Sequence, residues 1–144
     1  MSTKVPLSVL VIVHTTSREV LLLERAVRPD YWQSVTGSVD TTEEPLERTA
    51  AREVYEETGI DTAAGRLERW NVVYTFEIYP QWRHRFAPGV LLNVEHVFAL
   101  ELPERVPVRV ARDEHLGFVW LPWREAAAKC FSWSNRDAIV MLGE

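Results

Sequence analysis

The sequence predicts an α/β fold in which a mixed β-sheet lies between helices. Leu7 to His14 is an almost unbroken aliphatic run with no polar face, as expected of a strand covered on both sides. Two later segments alternate apolar and polar residues at period two, and a helix-patterned stretch separates them from that first run. Strands, helix, strands and closing helices, in that order, fit an α/β/α sandwich.

Each element has its own local reason. The first strand reaches a turn at Thr16-Ser17, and Val20 to Leu23 returns as its partner. Trp32 to Thr36 is a short extended piece leading to Gly37. A helix follows, with Thr41 or Thr42 to cap its start, Pro45 in the first turn where a missing N–H does no harm, and Gly59 to end it. Ala50, Ala51, Val54 and Thr58 form a stripe of small or apolar side chains that would dock this helix on the sheet. Trp70, Val72, Tyr74, Phe76 and Ile78 mark one long half-buried strand, and Leu92, Val94, His96, Phe98, Leu100 and Leu102 mark another. Between them Pro80 to Gly89 is a loop carrying Trp82, Arg83, His84 and Arg85. Phe118 to Leu121 reads as a further strand and Trp123 to Lys129 as a helix. The last helix is expected to begin near Ser134, with Asp137 three residues on completing a capping box.

Composition narrows the class. With 144 residues, 47% of them hydrophobic, the chain has enough apolar material for one well-filled core, and residues 1–144 are expected to form a single domain. Cys130 is the sole cysteine, so no internal disulfide can form. No apolar run is long enough for a membrane span or placed like a signal peptide, and a cytoplasmic protein is expected. The net charge of −5 argues against a nucleic-acid polymer, which usually needs a broad basic face. A small anionic ligand held through a metal is compatible with that charge.

The most informative stretch is Arg52-Glu53-Val54-Tyr55-Glu56-Glu57-Thr58-Gly59-Ile60. Helix geometry puts residues three and four apart side by side, so Glu53, Glu56 and Glu57 gather on one face. Like charges that close repel, and hard carboxylate oxygens suit Mg²⁺ or Mn²⁺. Glutamate clusters alone are more often solvated helix faces. Arg52 is an organiser, able to pair with Glu56 one turn on or with a glutamate of the first turn.

Gly37, then Glu43 or Glu44, then this stretch resembles the signature box of the Nudix hydrolases. That family cleaves nucleoside diphosphates linked to another moiety, and the resemblance implies a Nudix-type α/β/α sandwich with a metal-dependent hydrolase site. The box here carries one additional residue. Glu44 keeps the family's seven-residue spacing to Arg52 but leaves six after Gly37, whereas Glu43 keeps the usual five but leaves eight before Arg52. The role of the first glutamate is therefore open at this level.

Outside the box, Asp30 to Val39, Arg83 to Val90, Glu114-His115-Leu116 and Ser132 to Arg136 look like a bacterial subgroup of the same family that acts on pterin and purine nucleoside triphosphates in folate synthesis. This second resemblance implies an Mg²⁺-dependent pyrophosphohydrolase, with Mn²⁺ as a substitute, that releases a monophosphate and pyrophosphate. It implies Glu53, Glu57 and the remote Glu114 as metal ligands, with Glu56 a third helix ligand or the base. It also implies a pocket lined by Lys4, Arg25, Thr36, Phe76, Glu77, Ile78, Tyr79 and Ser132. The cations suit a triphosphate, Phe76 and Tyr79 could stack on a flat ring, and Glu77 could accept hydrogen bonds from ring N–H groups. Among six tryptophans, Trp32 is the one expected near the site. The expected partner is a small-molecule pterin or nucleoside triphosphate, bound by a monomer or weak homodimer. Two alternatives remain: a broader hydrolase of dATP-like or damaged nucleotides, and a catalytically silent module that only binds ligand.

Overall fold

The computed structural model describes residues 3–144. Its strands are β1 (Leu7–Thr15), β2 (Glu19–Arg25), β3 (Trp32–Gln33), β4 (Val35–Ser38), β5 (Arg66–Glu77), β6 (Leu92–Leu102) and β7 (His115–Pro122), and its helices are α1 (Leu46–Thr58), α2 (Trp123–Lys129) and α3 (Trp133–Val140). The strands make one mixed sheet in the order β3-β2-β1-β6-β5, with β4 added to β1 and β7 to β2. β1 and β6 are parallel over Leu7–Val94 to Thr15–Leu102, and the other pairings are antiparallel.

The unbroken apolar run of β1 is explained by its place in this sheet. Val9, Val11 and Val13 face α1 in a core with Ala50, Val54, Ile60, Phe98, Leu100 and Leu102. Leu10 and Ile12 face the opposite way, onto Ala126, Ala127, Ala138 and Ile139 of α2 and α3. Both faces of the strand are covered, so neither parity can be polar. The expected sandwich is the one observed.

Several local expectations are corrected. β2 touches β1 in register at one pair, His14 with Val20, and its long partner is β7. The hairpin turn brings the two strands together, but β4 and β6 occupy the two sides of β1. Neither Thr41 nor Thr42 caps α1, which starts after Pro45 without a side-chain cap. Thr41 instead opens a turn, its carbonyl accepting from the Glu44 N–H at 3.2 Å, between Gly37 and the helix where the box carries its additional residue. Ser132 caps α3, accepting from the Asn135 N–H, because Ser134 is turned inward and buried. Part of the expected loop after Pro80 is a 3₁₀ turn, Pro80–Arg85. Gly59 ends α1 as expected, at φ 74°, where its lack of a Cβ removes the penalty of the left-handed conformation.

β5 starts earlier than its alternating pattern suggested and contains a bulge. Arg69 lies opposite Phe98 and Val73 opposite His96, so four steps on β5 match two on β6, with Asn71 at φ 58° in between. An even number of additional residues preserves side-chain parity, so Trp70, Val72 and Tyr74 stay on the α2–α3 face.

This topology collects one end of the sheet into a cleft. β1 and β6 begin there, while β2, β4 and β5, antiparallel to their neighbours, end there. Residues far apart in sequence thus meet: Lys4, Ser8, Arg25, Thr36, Phe76 and Asn93. No helix among the described residues is long and apolar enough to cross a membrane.

The two-sided burial of β1 sets a stability prediction. Ile12→Ala should lower unfolding free energy by about 2–5 kcal/mol, through lost transfer energy and a cavity that packed neighbours cannot fill. Urea unfolding should show a lower midpoint with unchanged slope.

Candidate active site

Arg52 organises the helix that borders this cleft. Its Nε and Nη2 donate to the two oxygens of Glu44 at 3.1 and 3.0 Å, and Nη2 also donates to the Ser38 carbonyl at 3.1 Å. Nη1 donates to Glu53 Oε1 at 2.7 Å and reaches Glu56 at 3.4 Å, and Asp40 lies 3.4 Å from Nε. One guanidinium therefore ties β4, the following turn and α1 together, using a planar array of donors that lysine lacks. The ambiguity over the first glutamate is resolved: it is Glu44, which also accepts from the Asp40 N–H and the Thr49 hydroxyl. These charged and neutral donors hold the Glu44 carboxyl down at about 2.

The three glutamates of α1 are not equivalent. Glu57 is only 2% exposed, Glu53 is largely buried, and the Glu56 side chain is 55% exposed at the rim. Burial, contact with Glu53 and the nearby Glu114 charge push the Glu57 carboxyl well above its ordinary value. Burial also raises Glu53, opposed by its contact with Glu57 and by Arg52. A cluster at the cleft offers ligand atoms of Glu57, Glu114 and His115 within 4.8 Å of one another. Glu57 Oε1 has no hydrogen-bond partner, and His115 Nε2 stands 3.6 Å away. His115 is itself buried, and burial with the Arg25 charge lowers it to about 4, leaving a neutral imidazole at neutral pH. An orphaned buried carboxylate oxygen with further carboxylates around it fits a hard divalent cation. Gly37 is part of the fit, because a Cβ there would overlap the Glu53 carboxylate.

The cleft has two chambers. One, of about 580 Å³, is polar and contains Glu53, Glu56, Glu57, Glu114 and His115. The other, of about 290 Å³, is walled by Phe76, Tyr79, Trp82, Phe86, Phe131 and Trp133. Lys4, Arg25, Arg85, Gln33 and the Thr36-Gly37-Ser38 segment border both. Burial and the Arg85 charge lower the pKa of Lys4 and of Arg25, so these cations gather at an electrostatic cost. An anion lying between the chambers would relieve it.

The NUDIX domain matches residues 4–141. The chain belongs to the Nudix family. It is 45% identical to the dihydroneopterin triphosphate diphosphatase of Escherichia coli strain K12, over 94% of this chain and 91% of that protein. It is 38% identical to the enzyme of the same name from Haemophilus influenzae, over 92% and 84% of the two chains. The solved structure of the E. coli dihydroneopterin triphosphate pyrophosphohydrolase is similar with a TM-score of 0.90 at 42% identity, covering 98% of this chain and 97% of that one.

In this Nudix fold the expected site residues converge on the cleft. Glu53, Glu56, Glu57, Arg52 and Glu114 line the polar chamber, and Phe76, Glu77, Ile78, Tyr79 and Ser132 line the aromatic one, with Lys4, Arg25 and Thr36 on the border. Ile78 and Tyr79 lie just beyond the end of β5. Glu77 is engaged at the rim, its 71% exposed side chain 2.6 Å from Arg83 Nη2. Trp32 packs against the α2–α3 core under Lys129, while Trp82 and Trp133 reach the cleft. Trp82 carries the Arg25 guanidinium 4.6 Å over its ring. Arg85, His115, Glu95 and Asn93 were not anticipated. Arg85 is placed by the pairing of Lys4 with Phe86, and its only sequence signal was a position in a cationic loop. His115 could have been suspected from its adjacency to Glu114.

The Glu44–Arg52 pair makes a pH prediction. Because the folded pKa of about 2 lies below the ordinary 4.5, its stabilisation is present above pH 4.5 and lost as pH falls towards 2. Urea titrations between pH 6 and pH 2.5 should show that Glu44→Gln lacks this part of the acid dependence.

Proposed function

We propose that this chain is an Mg²⁺-dependent pyrophosphohydrolase converting dihydroneopterin triphosphate to the monophosphate and pyrophosphate. The observation that carries the reading is the continuity of the aromatic and carboxylate chambers across Lys4, Arg25 and Arg85. A flat ring fits between Phe76, Tyr79 and Phe131, and a triphosphate has the length and charge to run past the three cations. The names of the two bacterial relatives support the same substrate.

Glu57 and Glu114, with Glu53 and Glu56 beside them, would hold the Mg²⁺, and Mn²⁺ would substitute. When bound, the ion supplies positive charge against the phosphate oxygens. Lys4, Arg25 and Arg85 neutralise the remaining phosphate charge, as a preorganised electrostatic site requires. Glu56, at the solvent rim, accepts the proton of the attacking water, and Arg52 holds its carboxylate 3.4 Å away. Thr36 orients the substrate between the chambers, and Ser132 and Ile78 contact it in the aromatic one. The ligand is a small molecule rather than a polymer, consistent with the net charge of −5. We place the enzyme in the cytoplasm as a monomer or weak homodimer.

Pyrophosphate release from a panel of pterin and nucleoside triphosphates, with and without Mg²⁺, tests the reading. Release from dihydroneopterin triphosphate that requires the ion is expected, and no release from any of them would make this a binding module.

Substitution at the helix gives a sharper result. Glu57→Gln should keep the fold and lose more than about a hundredfold in turnover, beyond the range of residues that only support metal ligands. Mg²⁺ should raise the melting temperature of the wild type and not of this variant. Wild-type turnover in Glu57→Gln at saturating Mg²⁺ would remove α1 from the metal site. For Glu114→Gln, an unchanged Mg²⁺ dependence would return that residue to an ordinary loop role.

A further inference from the structure

We propose that Trp82, which stands in the wall of the aromatic chamber, serves the phosphate end of the substrate: its indole face is the positioning surface that holds the Arg25 guanidinium on the border of the two chambers for a triphosphate. The inference rests on the pyrophosphohydrolase reading for its substrate class and deepens it.

Arg25 is the last residue of β2 and lines both chambers, half-buried. Its Nη1 donates to Gln33 Oε1 at 3.0 Å, its buried Nε has no hydrogen-bond partner, and among the described residues it makes no ion pair. Lys4 and Arg85 crowd it with like charge. One hydrogen bond is a weak hold on a long side chain with many rotamers. The remaining support is the Trp82 ring, whose centroid lies 4.6 Å from the guanidinium carbon. A guanidinium stacked on indole gains a cation–π attraction and keeps its edge N–H groups free. Those are the groups that phosphate oxygens take in pairs.

The indole is itself fixed. Trp82 lies in the 3₁₀ turn Pro80–Arg85, where its backbone N–H donates to the Tyr79 carbonyl at 2.9 Å. Its ring meets those of Tyr79 and Phe131 edge-on, at centroid distances of 5.1 and 6.1 Å. Arg83 Nε ties the turn to the Ile78 carbonyl at 3.0 Å, and the Lys4 N–H donates to the Arg85 carbonyl at 2.8 Å. One turn therefore delivers both Arg85, which repels Arg25, and Trp82, which holds it against that repulsion. A cation fixed before the polyanion arrives lowers the ordering cost of binding.

The test is calorimetry of the whole chain with inorganic tripolyphosphate, which carries the substrate's charge without its ring, at one fixed Mg²⁺ concentration. Trp82→Leu should weaken binding by at least about fivefold, and Trp82→Phe, which keeps a π face, should stay within about twofold of the wild type. A residue that only walled the ring would leave this ligand unaffected. In an Arg25→Gln background, Trp82→Leu should have no further effect, because residues that act through one another are not additive. Trp82→Gln takes the place of the leucine variant should that one not fold. Unchanged affinity in the folded variant would overturn the proposal, and so would an equal loss in Trp82→Phe or a wild type that binds no tripolyphosphate. An undiminished loss in the Arg25→Gln background would also overturn it, marking a collapsed turn that displaces Arg85 as well. Should the wild type bind tripolyphosphate through this pair yet release pyrophosphate from no triphosphate, the positioning role stands and the hydrolase reading falls. Hydrolysis of dihydroneopterin triphosphate with tripolyphosphate binding indifferent to Trp82 does the reverse.

Discussion

The site depends on the hydrogen-bonding of a single guanidinium. Arg52 spans the end of β4, the turn after it and two turns of α1, and it touches four carboxylates and a main-chain carbonyl. Without it, Glu44, Glu53 and Glu56 would repel one another at close range with nothing to fix their rotamers. With it, α1 is anchored at the sheet end where β1, β4 and β6 meet, and Gly37 permits the Glu53 carboxylate to come against the strand. An exposed ion pair contributes little, but a planar array of donors shared by several part-buried acceptors fixes geometry.

That anchoring leaves charge distributed unevenly along the cleft. The polar chamber holds buried carboxylates that resist ionising, and its border holds cations whose charged forms are disfavoured. Both conditions are strained in the absence of ligand, and both are relieved together by a divalent cation and a polyanion. The aromatic chamber follows a different logic. Tyr79, Trp82 and Phe131 meet edge-on or tilted at centroid distances of 5.1 to 6.3 Å, giving a firm apolar wall around a few polar groups. Carboxylates and aromatic walls thereby occupy separate parts of the same cleft.

Most of the architecture was legible because it rests on patterns that hydrophobic burial imposes locally. The run in β1, the alternation in β5 and β6 and the Gly59 stop each followed from one requirement at one place. Boundaries failed where a tertiary contact outbid a local one. Ser134 satisfies the capping pattern, yet its side chain is drawn into the chamber and Ser132 takes the cap. Trp32 is near Gly37 in sequence, but a strand pairing turns it into the core, while Trp82 reaches the cleft through its contacts with Tyr79 and Phe131.

By itself the sequence determined the sandwich class and the carboxylate face of the helix, since both depend on residue types at spacings that helix and strand geometry make adjacent. The choice of Glu44 over Glu43 waited on the path of the turn from Thr41, which no spacing rule prescribes. The grouping of Glu57 with Glu114 and His115, and of Lys4 with Arg25 and Arg85, waited on the sheet. Strand order and direction bring those residues together, and neither is encoded within any single segment. Glu95 shows this most plainly: in an alternating strand it reads as one polar position among several, and only packing from β1, β5 and α3 makes it a buried acceptor facing a pocket.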